Sequence, residues 1–73
     1  MGYRDRVGSG VIGLTHRQKQ VMELVVTGKT YKQIGAILGI APRTVMGHVA
    51  GACNSIGAGN RTEAVVMYVQ NSQ

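Results

Sequence analysis

The stretch TYKQIGAILGIAPRTVMGHVAGACNSIG, residues 30–57, decides the fold because it contains the boundary signals of two consecutive helices. Thr30 followed three residues later by Gln33 forms a capping box, which predicts the start of a helix. Gly39 supplies the left-handed position that ends such a helix. Pro42 is favoured at the first helical position and predicts the start of a second helix. The stretch therefore predicts two helices joined by a short turn.

Two further helices are predicted on either side of this stretch. Thr15 with Gln18 is another capping box and opens a helix over about residues 16–27. Asn60 with Glu63 caps a helix that continues toward the C-terminus. No segment alternates apolar and polar residues convincingly enough to predict a strand. We therefore predict an all-α, compact four-helix domain that contains a helix-turn-helix.

The domain boundaries follow from the same signals. We expect the folded domain over residues 14–73, with the helix-turn-helix at about residues 31–50 and its second helix at about residues 42–56. Residues 1–13 contain four glycines and little periodicity, so they predict a flexible N-terminal arm.

The composition predicts a marginal, aliphatic core. The chain has 73 residues and neither Phe nor Trp, and a core of this size often gains stability from a partner subunit. The single cysteine, Cys53, cannot form a disulfide within the chain. The longest apolar run, residues 64–69, is too short to cross a membrane, so we expect a cytoplasmic protein without membrane contact.

Charge and side-chain chemistry narrow the classes of function. Eight Lys and Arg residues against three Asp and Glu residues give a net charge of +5, which favours a polyanionic partner such as nucleic acid. No nucleophile is paired with a base and an orienting group, so we do not expect an enzyme. His16, His48 and Cys53 are too scattered in the sequence to indicate a metal site, and we expect neither a metal nor another cofactor.

Short motifs follow one another in a fixed order from Leu14 almost to the end of the chain. They are Leu14-Thr15 with Arg17, Val21 and Leu24, then Gly28 with Lys32 and Ile34, Leu38-Gly39-Ile40, Thr44-Val45 with His48, Ile56-Gly57, and Asn60-Arg61 with Ala64-Val65. In this order and spacing the chain resembles the LuxR-type (GerE-like) DNA-binding domain over roughly four-fifths of its length.

The resemblance implies a function. Domains of this family have four helices, of which the third lies in the DNA major groove and the fourth commonly pairs two subunits. We therefore expect a sequence-specific DNA-binding transcription regulator that reads the major groove with the helix at about residues 42–56. The expected partners are double-stranded DNA with a pseudo-palindromic site and a second copy of the chain.

The outward face of the predicted recognition helix carries few side chains. On a helical wheel, the core-facing arc consists of Val45, Val49, Ala52 and Ile56. The opposite arc consists of Arg43, Gly47, Ala50, Gly51 and Asn54, with Thr44 and Met46 at its margins. Family members often have Lys at the position of Met46, so a positive contact is missing here.

Three explanations for the bare face remain open. A helix without side chains can press its backbone closer to the bases, which Arg43, Met46 and Asn54 then reach from its margins. Alternatively, Gly47 and Gly51 form a close-packing surface for a helix of another protein. In the third explanation the glycines are tolerated because phosphate contacts supply the affinity.

The residues predicted to bind DNA include cations, residues with hydroxyl groups near helix N-termini, and residues on or beside the bare face. They are Thr30, Lys32, Arg43, Thr44, Met46, Gly47, His48, Asn54 and Arg61. For each cation a solvated surface position is the alternative, and for His48 a packing role is equally compatible with the sequence. Arg17 is also a candidate for an internal ion pair with Glu23 or Glu63.

The fourth helix has more apolar surface than a lone domain of this size needs. By resemblance we expect Val65, Val66, Tyr68 and Val69 to form the dimer interface. An alternative function uses the same surfaces: a small interaction protein that binds and titrates a related LuxR-type regulator without reading DNA itself.

Overall fold

The computed structural model describes residues 13–71, and within this range the chain forms four α-helices and no strand. They are α1 His16–Val26, α2 Tyr31–Leu38, α3 Pro42–Ile56 and α4 Arg61–Asn71. The predicted all-α fold is therefore confirmed. The prediction of a flexible arm falls almost entirely on residues outside the described range.

The first two capping boxes form as their spacing predicts. The amide of Gln18 donates to Thr15 Oγ1 at 3.1 Å, and the amide of Thr15 donates to Gln18 Oε1 at 3.0 Å. Thr30 and Gln33 repeat this exchange at 3.1 and 2.9 Å. Each box satisfies two backbone amides that a helix N-terminus leaves without intrahelical acceptors, which is why α1 and α2 begin where they do.

The cap of α4 differs slightly from the other two. The amide of Glu63 donates to Asn60 Oδ1 at 2.9 Å, as expected for an N-cap. The carboxylate of Glu63, however, accepts from the amide of Gly59 at 2.7 Å, one residue before the N-cap. The loop that precedes α4 is therefore tied to its first turn.

The turn between α2 and α3 depends on two glycines. Gly39 ends α2 with φ +73°, a left-handed conformation that L side chains rarely adopt. Gly35, inside α2, accepts hydrogen bonds from the amides of Gly39 and Ile40. A Cβ atom on Gly35 would lie 2.5 Å from the carbonyl oxygen of Ile40, so the turn can fold back onto α2 only where no side chain is present.

The two helices of this unit meet at a sharp angle. The chain direction bends by 103° between α2 and α3 across a three-residue turn, which is the geometry of a helix-turn-helix. None of the described helices alone is long and apolar enough to cross a membrane; this pair reaches the required length and composition only when both helices are counted together.

Two apolar clusters form the core, and α3 contributes to both. One cluster consists of Leu14, Met22, Ala52, Ala64 and Tyr68. The other consists of Val21, Val25, Ile34, Val45 and Val49. Three of the four core positions predicted for α3 are buried, and Ile56 is half-buried against the first cluster. Because one face of α3 is committed to the core along its length, most of its opposite face points away from the domain.

Candidate nucleic-acid interface

The outer face of α3 is exposed from its first residue to near its end. Arg43, Thr44, Gly47 and Asn54 are all exposed, and Met46 retains 55% of its accessible surface. Val45 and Val49, on the other side of the same helix, are buried. The structure thus brings most of the residues predicted to bind DNA onto one continuous surface.

The two glycines of α3 face different surroundings. A Cβ atom on Gly47 would have no heavy atom within 4 Å, so Gly47 lies on the open face. A Cβ atom on Gly51 would lie 2.7 Å from Nε2 of Gln18, so Gly51 is covered by a side chain of α1. The helical wheel placed Gly51 on the outward arc, and that placement is wrong because a wheel does not contain the neighbouring helix.

The bare region of α3 is therefore smaller than the sequence indicated. It consists of Gly47 and Ala50, with Arg43, Met46 and Asn54 around it. A docking stripe formed by both glycines is not present, since half of it is covered within the domain.

The N-terminus of α3 has no side-chain cap. Ala41 occupies the N-cap with φ −68° and ψ 149°, and its methyl group accepts no hydrogen bond. Its carbonyl oxygen accepts from the amides of Thr44 and Val45, at 2.9 and 3.1 Å. Pro42 has no amide hydrogen to satisfy, and the amide of Arg43 has no intrahelical acceptor because it lies in the first turn. Partial positive charge therefore accumulates beside the exposed guanidinium and hydroxyl groups of Arg43 and Thr44.

The helix-turn-helix carries only positive charge. No Asp or Glu occurs between Glu23 and Glu63, a span that contains Lys29, Lys32 and Arg43. The two carboxylates that flank this span accept hydrogen bonds from the Tyr68 hydroxyl and the Gly59 amide, respectively. Such a distribution produces a positive potential over α2 and α3, which attracts a polyanion.

The α2 N-terminus brings further candidate residues together. Thr30 and Lys32 are exposed there, and Thr30 Oγ1 accepts from the Gln33 amide while its hydroxyl hydrogen stays available for donation. The guanidinium carbon of Arg61, at the start of α4, lies 5.4 Å from the centroid of the Tyr31 ring. Arg61 is thus held beside the start of α2, although thirty residues separate it from Tyr31 in sequence.

The positions of two histidines and one arginine considered in the sequence analysis do not assign them a role. His48 is half-buried on α3 next to the core residue Val49, and His16 is exposed at the start of α1. Arg17 is exposed and forms no ion pair within residues 13–71, while both of its predicted partner carboxylates accept other hydrogen bonds. No cluster of three potential metal ligands occurs in that range either.

The structure exposes only part of the dimer interface predicted on α4. Tyr68 is only 3% exposed and its hydroxyl donates to the carboxylate of Glu23, so Tyr68 belongs to the core and not to a subunit surface. Val65 is half-buried and packs against both apolar clusters. Val66 and Val69 remain 49% and 41% exposed. Of the four predicted residues, Val66 and Val69 are the two that the structure leaves exposed.

Sequence reasoning missed three features of this surface. The acid-free span was visible as a gap between Glu23 and Glu63. Gly35 had a weaker signal, a glycine within a short predicted helix four residues before Gly39. The contact between Tyr31 and Arg61 had none, because local periodicity does not place residues from separate helices next to each other.

The sequence is similar to those of known bacterial regulatory proteins. The family model for bacterial regulatory proteins of the luxR family (GerE) matches residues 13–68. The spore germination protein GerE of Bacillus subtilis is 42% identical over 53 residues, which cover 73% of this chain and 72% of GerE.

Longer relatives match over a smaller part of their own length. The transcriptional regulatory protein FixJ of Azorhizobium caulinodans is 39% identical over 88% of this chain and 30% of FixJ. The transcriptional activator protein BjaR1 of Bradyrhizobium diazoefficiens is 40% identical over 80% of this chain and 24% of BjaR1. The chain thus spans most of GerE but less than a third of these two regulators. No solved structure gives a significant match.

Proposed function

The chain belongs to the luxR family of bacterial regulatory proteins, and from this membership we propose that it binds DNA and regulates transcription. Relatives named as a transcriptional regulatory protein and a transcriptional activator support the proposal. The observation that carries it is the exposed face of α3, the second helix of a helix-turn-helix, in a span without acidic residues.

We propose further that α3 enters the major groove. Its 15 residues extend about 22 Å, long enough for base contacts at both margins of the bare region. Arg43 can pair with the O6 and N7 atoms of guanine, Asn54 with adenine, and Met46 can contact a thymine methyl group. Gly47 has open space in front of it, which favours a close approach of the helix backbone to the bases.

Phosphate contacts supply the remainder of the proposed affinity. Thr30 and Lys32 at the start of α2, together with Thr44 at the start of α3, are exposed hydroxyl and ammonium groups near helix N-termini. Each Lys or Arg that neutralises a phosphate should contribute about 0.9 to the slope of log affinity against log salt.

The proposed binding unit is a homodimer that contacts DNA from one side. The apolar side chains of Val66 and Val69 on α4 provide the pairing surface. The domain measures 30 × 26 × 20 Å, so two copies side by side fit the spacing of about 34 Å between successive major grooves. A dimer with two-fold symmetry would read a pseudo-palindromic site. The alternative function, titration of a related regulator, loses its route through the glycine stripe because Gly51 is covered by Gln18. Its route through α4 would use the same exposed valines, and no observation favours it over pairing of two copies.

The first experiment is a salt titration of DNA binding, measured by fluorescence anisotropy with a random duplex and with genomic fragments. We expect a steep salt dependence and preferred fragments. Arg43→Ala should relax that preference, whereas Arg17→Ala, which removes an exposed arginine from α1, should leave it unchanged. A folded protein that fails to bind any duplex at low salt would refute the proposal and direct attention to a protein partner.

A further variant in the same assay distinguishes the explanations of the bare face. Gly47→Ala should stabilise α3 by about 1 kcal/mol because alanine is the better helix former. If the backbone docks closely, the added methyl group also weakens DNA binding. Unchanged binding would mean that phosphate contacts dominate and that close docking does not occur.

A further inference from the structure

Tyr31 and Arg61 connect the beginnings of α2 and α4. Each is the first residue of its helix, and the guanidinium carbon of Arg61 lies 5.4 Å from the centroid of the Tyr31 ring. The ring is itself anchored, because Tyr31 is half-buried and packs against the core cluster that contains Ile34 and Val45. Arg61, by contrast, is exposed.

This arrangement leaves the hydrogen-bonding capacity of Arg61 available. Within residues 13–71, the guanidinium forms no ion pair or hydrogen bond, and its contact is with the face of an aromatic ring. A guanidinium over a ring is attracted by the electrons of the ring face, and its five N–H donors lie in the plane of the guanidinium. Those N–H groups match the geometry of a phosphate, which accepts two parallel hydrogen bonds from arginine.

The surroundings of Arg61 favour an anionic partner. Thr30 and Lys32 are exposed on either side of Tyr31, and neither α2 nor α3 contains an acidic residue. The first helix of a helix-turn-helix crosses the DNA backbone when the second helix occupies the major groove. Arg61 is therefore held next to the helix end that would face the phosphates.

We propose that Tyr31 is a positioning residue that holds the guanidinium of Arg61 for a DNA phosphate, so that the start of α4 becomes part of the DNA-binding surface. This inference rests on the proposed function. The aromatic ring restricts Arg61 before DNA arrives, which reduces the side-chain entropy that binding would otherwise remove. A phosphate then replaces water at the outer edge of the guanidinium and does not disturb its contact with the ring.

The test is a double-mutant cycle on DNA affinity and on its salt dependence, using a random duplex. Arg61→Ala should reduce the magnitude of the salt slope by about 0.9. Tyr31→Leu should weaken binding about twofold to tenfold in the wild-type background, because binding must then remove side-chain freedom of Arg61 that the ring no longer restricts. It should have no effect in the Arg61→Ala background, whereas Tyr31→Phe, which keeps the ring, should bind as the wild type does.

Two controls separate positioning from a purely structural role. Tyr31→Leu should weaken binding in a Lys32→Ala background as much as in the wild type, because Lys32 contacts DNA independently of the ring. Urea unfolding of each variant shows whether the fold is intact. An equal effect of Tyr31→Leu with and without Arg61, or an unchanged salt slope in Arg61→Ala, would overturn the inference while the proposed function stands. Failure of the wild-type protein to bind DNA would overturn both.

Discussion

At the scale of the single residue, the surroundings of a glycine decide what a side chain in its place would do. Gly35 and Gly47 both lie inside helices, and neither has a positive φ. The position of a Cβ atom is blocked at Gly35 by the carbonyl oxygen of Ile40, which belongs to the backbone of the turn. The same position at Gly47 is open. The first glycine therefore serves the fold, and the second is available for a role at the surface.

This difference predicts opposite outcomes for one substitution. Gly35→Val should destabilise the domain by about 2 kcal/mol or more, because the new side chain must displace the backbone of the turn. Gly47→Val should change the free energy of unfolding by less than about 0.5 kcal/mol, since the modest helix propensity of valine is still no worse than that of glycine. Urea denaturation followed by circular dichroism measures both. Equal stability of the two variants would show that the turn can relax and that Gly35 is not required.

At the scale of the element, the N-terminus of α3 has fewer stabilising interactions than the N-termini of α1 and α2. The helices α1 and α2 each begin with a complete capping box, whereas α3 begins at Ala41 with no side-chain cap. Pro42 at the first position and burial of one face along the helix compensate for this missing interaction. The uncapped end is also the end that carries Arg43 and Thr44, on the surface proposed to bind DNA.

Restoring the cap should therefore stabilise the domain. The extended conformation of Ala41 is the one that an N-cap serine adopts, so Ala41→Ser should add about 1 kcal/mol to the free energy of unfolding. Ala50→Ser places the same hydroxyl group at an exposed position inside the helix, where it should be slightly destabilising. Thermal unfolding of both variants measures the contrast. A stability gain of the same size at position 50 would exclude capping as the cause.

At the scale of the whole molecule, the domain has a small core and an apolar surface on α4. Ten hydrophobic side chains are buried among the described residues, while Val66 and Val69 stay 49% and 41% exposed on one helix. Pairing of two copies through these valines would extend the core across a subunit boundary. Because Tyr68 is buried, the proposed pairing surface is narrower than the four-residue set expected from the resemblance.

The dimer prediction is tested by placing charge on that surface. Val66→Asp combined with Val69→Asp should convert the protein to a monomer, because pairing would bring four buried carboxylates together. Sedimentation equilibrium measures the molecular mass in solution. Ile37→Asp is the matched control, since Ile37 is 54% exposed on α2. Tyr68→Phe is a second control, because it alters a core residue of α4. Both controls should leave the association unchanged. A wild-type protein that is monomeric at high concentration would contradict the prediction.

Local signals along the chain specify the helices and their inward faces. Capping boxes, helix-ending glycines and Pro42 act between residues a few positions apart, so they are readable without a structure. The order of these signals also carried the family resemblance, which the family model over residues 13–68 confirmed. The core face of α3 followed from the helical period alone, and Val45, Val49 and Ala52 are buried as that period requires.

The contacts between side chains of different helices depend on the packing of the whole domain. Gln18 covers Gly51, Glu23 accepts from Tyr68, and the ring of Tyr31 holds Arg61. The partners in each pair are thirty or more residues apart, and their contact depends on how the helices rotate and cross when they bury their apolar faces together. Helical periodicity defines the direction of a side chain relative to its own axis, but the neighbour in that direction is set by packing of the whole domain.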